Sequence, residues 1–193
     1  MSEKTICRPL TPARWADAEA VFQSCGDARR CWCAFWRMPR PQFRAGMGAR
    51  NRASFRRLIE SGAPTGVLAY RAGAPLGFCG VAPRGALSRL ARSRVLAPVD
   101  GVPVWSISCF VVPPPHRRSG LMRPLIEGAV DYAAKRGAPA VEAYPFDPKR
   151  KMMSGEVFTG LLPAFLDQGF REIARRSPIR PIVRLRLRGT VDA

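Results

Sequence analysis

Apolar positions along this chain fall into two periods, one near 3.6 residues and one of two. Trp15, Ala18, Val21 and Phe22 recur at helical spacing behind Thr11 and Pro12. That is a helix start, because proline at the first helical position gives up no backbone bond. Gly26 and Asp27 break this helix. Phe55, Leu58 and Ile59 predict a second helix over residues 51–61, with arginines outward and Gly62 at its end. A short strand is expected at residues 5–9. Residues 65–71 and 75–81 predict a hairpin turning at Ala72, Gly73 and Ala74. An arginine-rich connection follows over 83–102, with one helical turn at 87–91.

Residues 104–112 read VWSISCFVV, nine uncharged positions rich in β-branched and aromatic types. Such a run suits a buried strand. Pro113, Pro114 and Pro115 end it, because none can donate to a ladder. Beyond Gly120, Leu121, Met122, Leu125, Ile126, Ala129, Val130, Ala133 and Ala134 form one helical stripe, which Gly137 can stop. Residues 140–146 predict a strand with Val141, Ala143 and Pro145 on one face and Glu142, Tyr144 and Phe146 on the other. A basic loop over 147–156, carrying Lys149, Arg150 and Lys151, is placed to reach a phosphate. A helix over 158–167 and two strands within 170–187 complete the chain, the second marked by Ile182, Val183, Leu185 and Leu187. The order β-α-α-β-β-β-α-β-α-β-β, without internal repeat or boundary, predicts one mixed α/β domain over residues 1–193.

The turn at 117–122 carries the clearest chemistry. With Gly120 as N-cap, the amides of Leu121, Met122 and Arg123 lack intrahelical partners and, with the helix dipole, favour an anion. Pro124 then falls at the fourth helical position and removes none of them. Glycine lets a backbone approach a ligand closely, and Arg117 and Arg118 add two permanent charges. A solvated basic turn before an ordinary helix is the alternative.

Composition narrows the classes. The chain has 193 residues, 47% hydrophobic and 24% charged, as in a folded globular protein. No stretch approaches the roughly 20 apolar residues of a membrane span. The start, MSEKTICRPL, has no apolar signal-peptide core, so a cytoplasmic protein with no membrane partner is expected. Cys7, Cys25, Cys31, Cys33, Cys79 and Cys109 are then expected to stay reduced. Cys25, Cys31 and Cys33 lack a matched second pair, and His116 is the only histidine, so no metal is expected. The net charge of +18 favours anionic partners. The arginines are scattered, with no aromatic-interleaved RNA motif, so nucleic acid is the weaker expectation. Residues 31–41, CWCAFWRMPRP, form either an aromatic wall over a ligand or an apolar loop tucked on the core.

Arg117-Arg118-Ser119-Gly120-Leu121-Met122 resembles the R/Q-x-x-G-x-G/A turn of the GNAT superfamily of N-acetyltransferases, with Met122 in place of a small residue. The resemblance covers roughly residues 5–187. It implies a GNAT-like mixed, mostly antiparallel α/β sheet flanked by helices, and acetyl-CoA as donor. It implies that Arg117 to Met122 cradle the pyrophosphate and that the backbone of Phe110, Val111 and Val112 pairs with the pantetheine arm. The acceptor it implies is a small-molecule or peptide primary amine, with Trp32, Trp36 and Trp105 as candidate substrate-binding residues; a homodimer is compatible with it. Where many family members carry a tyrosine as general acid this chain has Phe165, and Phe158 replaces a frequent asparagine. Phenylalanine donates no proton. Glu142 as base and Tyr144 as acid are therefore the candidate catalytic pair, with Ser106, Ser108 and Cys109 weaker. A non-catalytic acyl-CoA-binding domain and a basic nucleic-acid module are the alternatives.

Overall fold

The computed structural model describes residues 3–147 and 157–187. Seven strands form one sheet: β1 (Ile6–Pro9), β2 (Gly66–Arg71), β3 (Ala74–Pro83), β4 (Trp105–Val111), β5 (Ala140–Ala143), β6 (Arg171–Ala174) and β7 (Ile182–Arg186). Their order is β1-β2-β3-β4-β5-β7-β6, with every pair antiparallel except β4 and β5. The β-α-β crossover from β4 to β5 is what makes that pair parallel. The expected loop at 147–156 lies largely outside the described residues.

The long helix α6 (Met122–Ala134) covers one face of the sheet; Leu125, Ile126, Ala129 and Ala133 bury its stripe against Val67, Cys79, Ile107 and Val141. At Gly128 a side chain would fall on Cys7 of β1, with its Cβ only 2.7 Å from the sulfur. A glycine there lets the helix sit close to the edge strand. On the other face, α1 (Trp15–Gln23), α2 (Ala28–Cys31), α3 (Arg40–Ala45) and α4 (Ala49–Glu60) cover the β1–β4 half around Phe22, Phe55, Leu68 and Phe78. The β5–β7 half of that face is closed by irregular chain and the short α5 (Ser88–Ala91), through Trp36, Leu87, Leu90 and Leu96 over Tyr144 and Ile182.

Three elements depart from expectation. Helix α3 arises inside the predicted aromatic connection, because Pro39 stands at its cap and Pro41 within its first turn, where proline is tolerated. Helix α4 starts two residues earlier than its apolar spacing suggests. The predicted helix at 158–167 shrinks to α7 (Leu162–Leu166). Gly160 has φ +84°, a left-handed conformation that stops a helix from running through it.

Candidate active site

Strand β4 stays paired with β3 along its length, but with β5 only at Trp105, Ser106 and Ile107. A register shift opposite Gly80 and Val81 puts one extra residue into β4 near Ser108, and such a bulge bends the strand that carries it. From there β4 and β5 part. The opening is filled by the chain's own segment 157–161. The Phe110 N–H donates to the Phe158 carbonyl at 2.7 Å, and the Phe146 N–H donates to the Gly160 carbonyl at 2.9 Å. Leu162 N–H returns to the Phe146 carbonyl at 2.8 Å, closing a parallel bridge between Phe146 and Leu161. This strap therefore lies between β4 and the extension of β5, stitched to both.

Past the end of β4 comes the basic turn. Arg118 has φ +58° and Gly120 φ +76°, and a side chain built at Gly120 would meet nothing within 4 Å. The helix cap is Leu121 rather than Gly120, and no side chain caps it. Leu125 N–H makes the first bond, to the Leu121 carbonyl at 3.1 Å, so Pro124 falls at the third helical position and costs no helical hydrogen bond at all. The amides of Leu121, Met122 and Arg123 are left facing outward. Arg117 folds back, its Nε on the Val112 carbonyl at 3.0 Å, while Arg118 is exposed. An uncapped N-terminus of a 13-residue helix, an open glycine and a free guanidinium suit a pyrophosphate. The residues present thus fit the phosphate end of coenzyme A. The Phe110 amide fits an acyl or pantetheine carbonyl only once Phe158 lets go.

The predicted catalytic pair is brought together, but not at a surface. Glu142 and Tyr144 share a face of β5 and its extension, and the Tyr144 hydroxyl donates to Glu142 Oε2 at 3.0 Å. Glu142 also takes Arg184 from directly across the β5–β7 ladder, at 2.7 Å, and Arg84 at 3.4 Å. Arg84 also bonds the Tyr144 hydroxyl, which exchanges a 2.8 Å bond with Ser106. Arg184 closes on Asp100 at 2.6 and 2.9 Å. Two carboxylates and two guanidiniums thus balance, with Glu142 1% and Tyr144 0% exposed beneath Trp36, Leu87 and Leu96 and Asp100 at the exposed rim. Burial, then the Glu142 charge, pushes the phenol well above its usual value. The expectation of Glu142 as base and Tyr144 as acid is corrected on these grounds. The structure holds both side chains buried and hydrogen-bonded within the network instead of presenting them at a surface.

The tryptophans also separate. Trp36 lies in the loop over the sheet, its indole N–H on the Ser108 carbonyl at 2.9 Å beside the bulge. Trp32 is core, stacked between Trp15 and Phe22 at ring distances of 5.7 and 5.1 Å. Trp105 faces the opposite side of the sheet, edge-on to Tyr132 of α6 at 5.9 Å. Trp32 and Trp105 are therefore not acceptor walls. In the loop around Trp36, Phe35 meets Phe158 at 5.5 Å and Phe43 at 5.7 Å, and all three are half-buried. A cleft of about 480 Å³ between α1 and the triproline turn holds none of the predicted acceptor residues. Cys109, next to Phe110, has its thiol pushed well above the usual range by a hydrogen bond with Cys33 and by burial, which disfavours the thiolate a nucleophile needs. Among the described residues no group of three or more His, Cys, Asp or Glu could hold a metal.

A model described as the acetyltransferase (GNAT) family matches residues 29–152, more than half of the chain. The chain belongs to the GNAT acetyltransferase family. Solved structures of GNAT proteins share its fold at low identity. The polyamine N-acetyltransferase of Drosophila melanogaster, which forms N-acetylagmatine, is 11% identical, with TM-score 0.54 over 95% of this chain and 100% of that one. YncA of Salmonella typhimurium, solved with its cofactor acetyl-CoA, is 14% identical, with TM-score 0.54 over 97% and 96%. The PaiA N-acetyltransferase of Thermoplasma acidophilum, in complex with coenzyme A, is 9% identical, with TM-score 0.53 over 95% and 99%. Comparison with curated proteins gives no match. In this GNAT chain Phe165 is fully buried against Phe110 and Phe170. The position expected for a tyrosine acid is thus a packing position here. Sequence reasoning missed Arg84, Asp100 and Arg184 as partners of Glu142, and missed the strap. One signal was legible: Arg184 falls on the Ile182 side of β7, opposite the core residues Val183 and Leu185.

Proposed function

We propose that this chain transfers an acetyl group from acetyl-CoA directly to a primary amine of a small molecule or peptide. The observation that carries the reading is the open, uncapped turn at Gly120, placed where β4 leaves β5. Arg118 and the amides of Leu121, Met122 and Arg123 hold the pyrophosphate, and Phe110 and Val112 of β4 and its extension offer main-chain groups to the pantetheine arm. Acetyl-CoA supplies an activated acyl carbon. The Phe110 N–H, aimed into the opening, is positioned to polarise an acyl oxygen once the Phe158 carbonyl has moved. The amine arrives neutral from solvent, and its proton leaves with the thiol product, so no buried side chain has to titrate. Phe158, Phe35 and Trp36 shield the amine side of the opening.

A second reading, an acyl-CoA-binding domain without turnover, draws on Phe165 and on the occupied Phe110 amide. One experiment separates the two. Thermal stabilisation by acetyl-CoA and not by adenosine is expected, together with thiol release on addition of a panel of primary amines. Stabilisation without thiol release from any amine leaves the second reading. Absence of stabilisation ends both.

A further inference from the structure

Among the described residues, Arg180 is a charged group beside the strap that the donor chemistry leaves unused. It stands in the turn joining β6 to β7, between Pro178 and Pro181. The two prolines stiffen the turn and fix where the side chain emerges. Its neighbours in that turn are fully engaged. Arg175 takes Asp147 at 2.7 Å and Glu172 at 2.6 Å, and Arg176 takes the carbonyls of Ala97 and Pro98 at 2.6 and 3.2 Å. Arg180 has neither kind of partner among the described residues. Its guanidinium lies 4.1 Å from the centroid of the Phe146 ring, and its Nε is buried without a hydrogen bond. Burial alone depresses its pKa, to about 10, with no carboxylate offsetting it. A half-buried guanidinium keeps its charge, and among the described residues its fork of N–H groups meets no anion.

Its position ties it to the acyl opening. Phe146 is the residue whose main chain bonds Gly160 and Leu162 of the strap, and the same strap bonds Phe110 through Phe158. By strand alternation Phe146 follows Glu142 and Tyr144 along β5 and its extension, and on the Tyr144 side Phe158 of the strap meets Phe35 and Trp36. We infer that Arg180 binds the carboxylate of the acceptor, so that the amine acetylated here belongs to a small amino acid-like molecule carrying an apolar group, and not to a polyamine. Planar bidentate pairing suits the guanidinium fork to a carboxylate. The half-exposed rings of Phe146 and Phe158 offer the apolar wall. The charge of the whole chain, +18, opposes a polycationic acceptor at long range. The inference rests on the acetyltransferase reading for the word acceptor, but the anion site itself stands on Arg180.

The test has a binding arm and a turnover arm. Calorimetry on the full chain compares 3-phenylpropanoate with its uncharged amide, in wild type, Arg180→Met and Arg180→Lys. The carboxylate should bind at least tenfold tighter than the amide in wild type. Arg180→Met should bring the two within twofold while leaving amide affinity unchanged, and Arg180→Lys should recover part of the preference. In the turnover arm, phenylalanine should exceed phenethylamine and spermidine in kcat/KM by at least tenfold in wild type, with the gap closing in Arg180→Met mainly through KM. Equal carboxylate and amide affinity in wild type, or an undiminished preference in Arg180→Met, overturns the inference. A carboxylate preference that depends on Arg180, with no amine acetylated, keeps the anion site and sinks the acetyltransferase reading instead.

Discussion

Arg184 and Arg180 lie in and just before the same strand, on one side of the same sheet, yet they do opposite things. Arg184 faces Glu142 across the ladder and Asp100 above it, and with Arg84 the set is neutral and hydrogen-bonded, sealed at Glu142 and open to water at Asp100. Arg180 is half-buried with an aromatic ring for company and no anion among the described residues. The first arrangement ties the irregular 84–100 connection onto the sheet: Arg84 binds the Leu96 carbonyl and Arg184 binds Asp100. The second stores an unmet demand. A buried charge is tolerated only when compensated, so the arginine without an anion among the described residues is the one proposed to meet a ligand, whereas Arg184 is held within the fold. By this reasoning the Glu142 network is scaffold, and the sparser mouth beside it is where chemistry is expected.

Substitutions separate the two regions most sharply where the network is cut. Glu142→Ala leaves two guanidiniums facing each other, and removing one partner of a buried pair costs roughly 3–5 kcal/mol. Urea unfolding should show a loss near the lower end of that range, since Arg184 keeps Asp100. A loss under about 1 kcal/mol would mean that the network is open to water and would blur the contrast.

The donor turn should resemble the mouth, sensitive in binding more than in folding. With acetyl-CoA at a hundred times its Kd, a specific site stabilises by about 2.7 kcal/mol, roughly 5 °C or more in melting temperature for a chain of this size. Gly120→Glu should erase this shift, because a carboxylate then stands in the space that is open at Gly120. It should cost the unliganded fold only about 1–2 kcal/mol for a side chain at positive φ. An intact ligand shift in a folded Gly120→Glu protein would remove the donor site from this turn.

Tyr144→Phe cuts the network at its least charged member. One buried hydroxyl should be worth about 1 kcal/mol of stability, and turnover with saturating acetyl-CoA should change less than about threefold. A hundredfold loss in a folded variant is the mark of a lost proton donor and would return Tyr144 to catalysis. Smallest of all should be the stability change in Arg180→Met, within about 0.5 kcal/mol, since no hydrogen bond or ion pair of that side chain is lost among the described residues and methionine can still cover the Phe146 ring. A drop of several kcal/mol there would place Arg180 with the scaffold.

Acid titration offers a gentler probe of the network. The hydrogen bonds from Arg184 hold Asp100 below its ordinary carboxylate value of 3.8. A depressed folded pKa contributes stability above the unfolded value and loses it as pH falls through the folded one. Below pH 3.8, wild type should therefore lose a small increment of stability that Asp100→Asn never had. The effect is slight because Asp100 is exposed and screened by solvent.

Alternation and helical spacing alone determined the order of the main elements, the strand ending at three prolines, the glycine turn and the stripe of α6, because periods of two and 3.6 are local properties of the chain. They also put Glu142 and Tyr144 on one face correctly. What that face looks onto was decided only by the tertiary structure. Arg84, Asp100 and Arg184 lie 58, 42 and 42 residues from Glu142, and no local pattern says that they converge and seal it. Trp32 and Trp36 are four residues apart in one aromatic run, yet one is stacked in the helical core and the other caps a bulge in β4. Left-handed backbone at Trp32 and Cys33 separates them, and such conformations persist only where surrounding packing enforces them. The strap between β4 and β5 was hidden for the same reason. Residues 158–161 carry no strand pattern of their own; they form a turn and a single bridge at Leu161, and their backbone groups meet those of Phe110 and Phe146 in a gap that a bulge elsewhere opens.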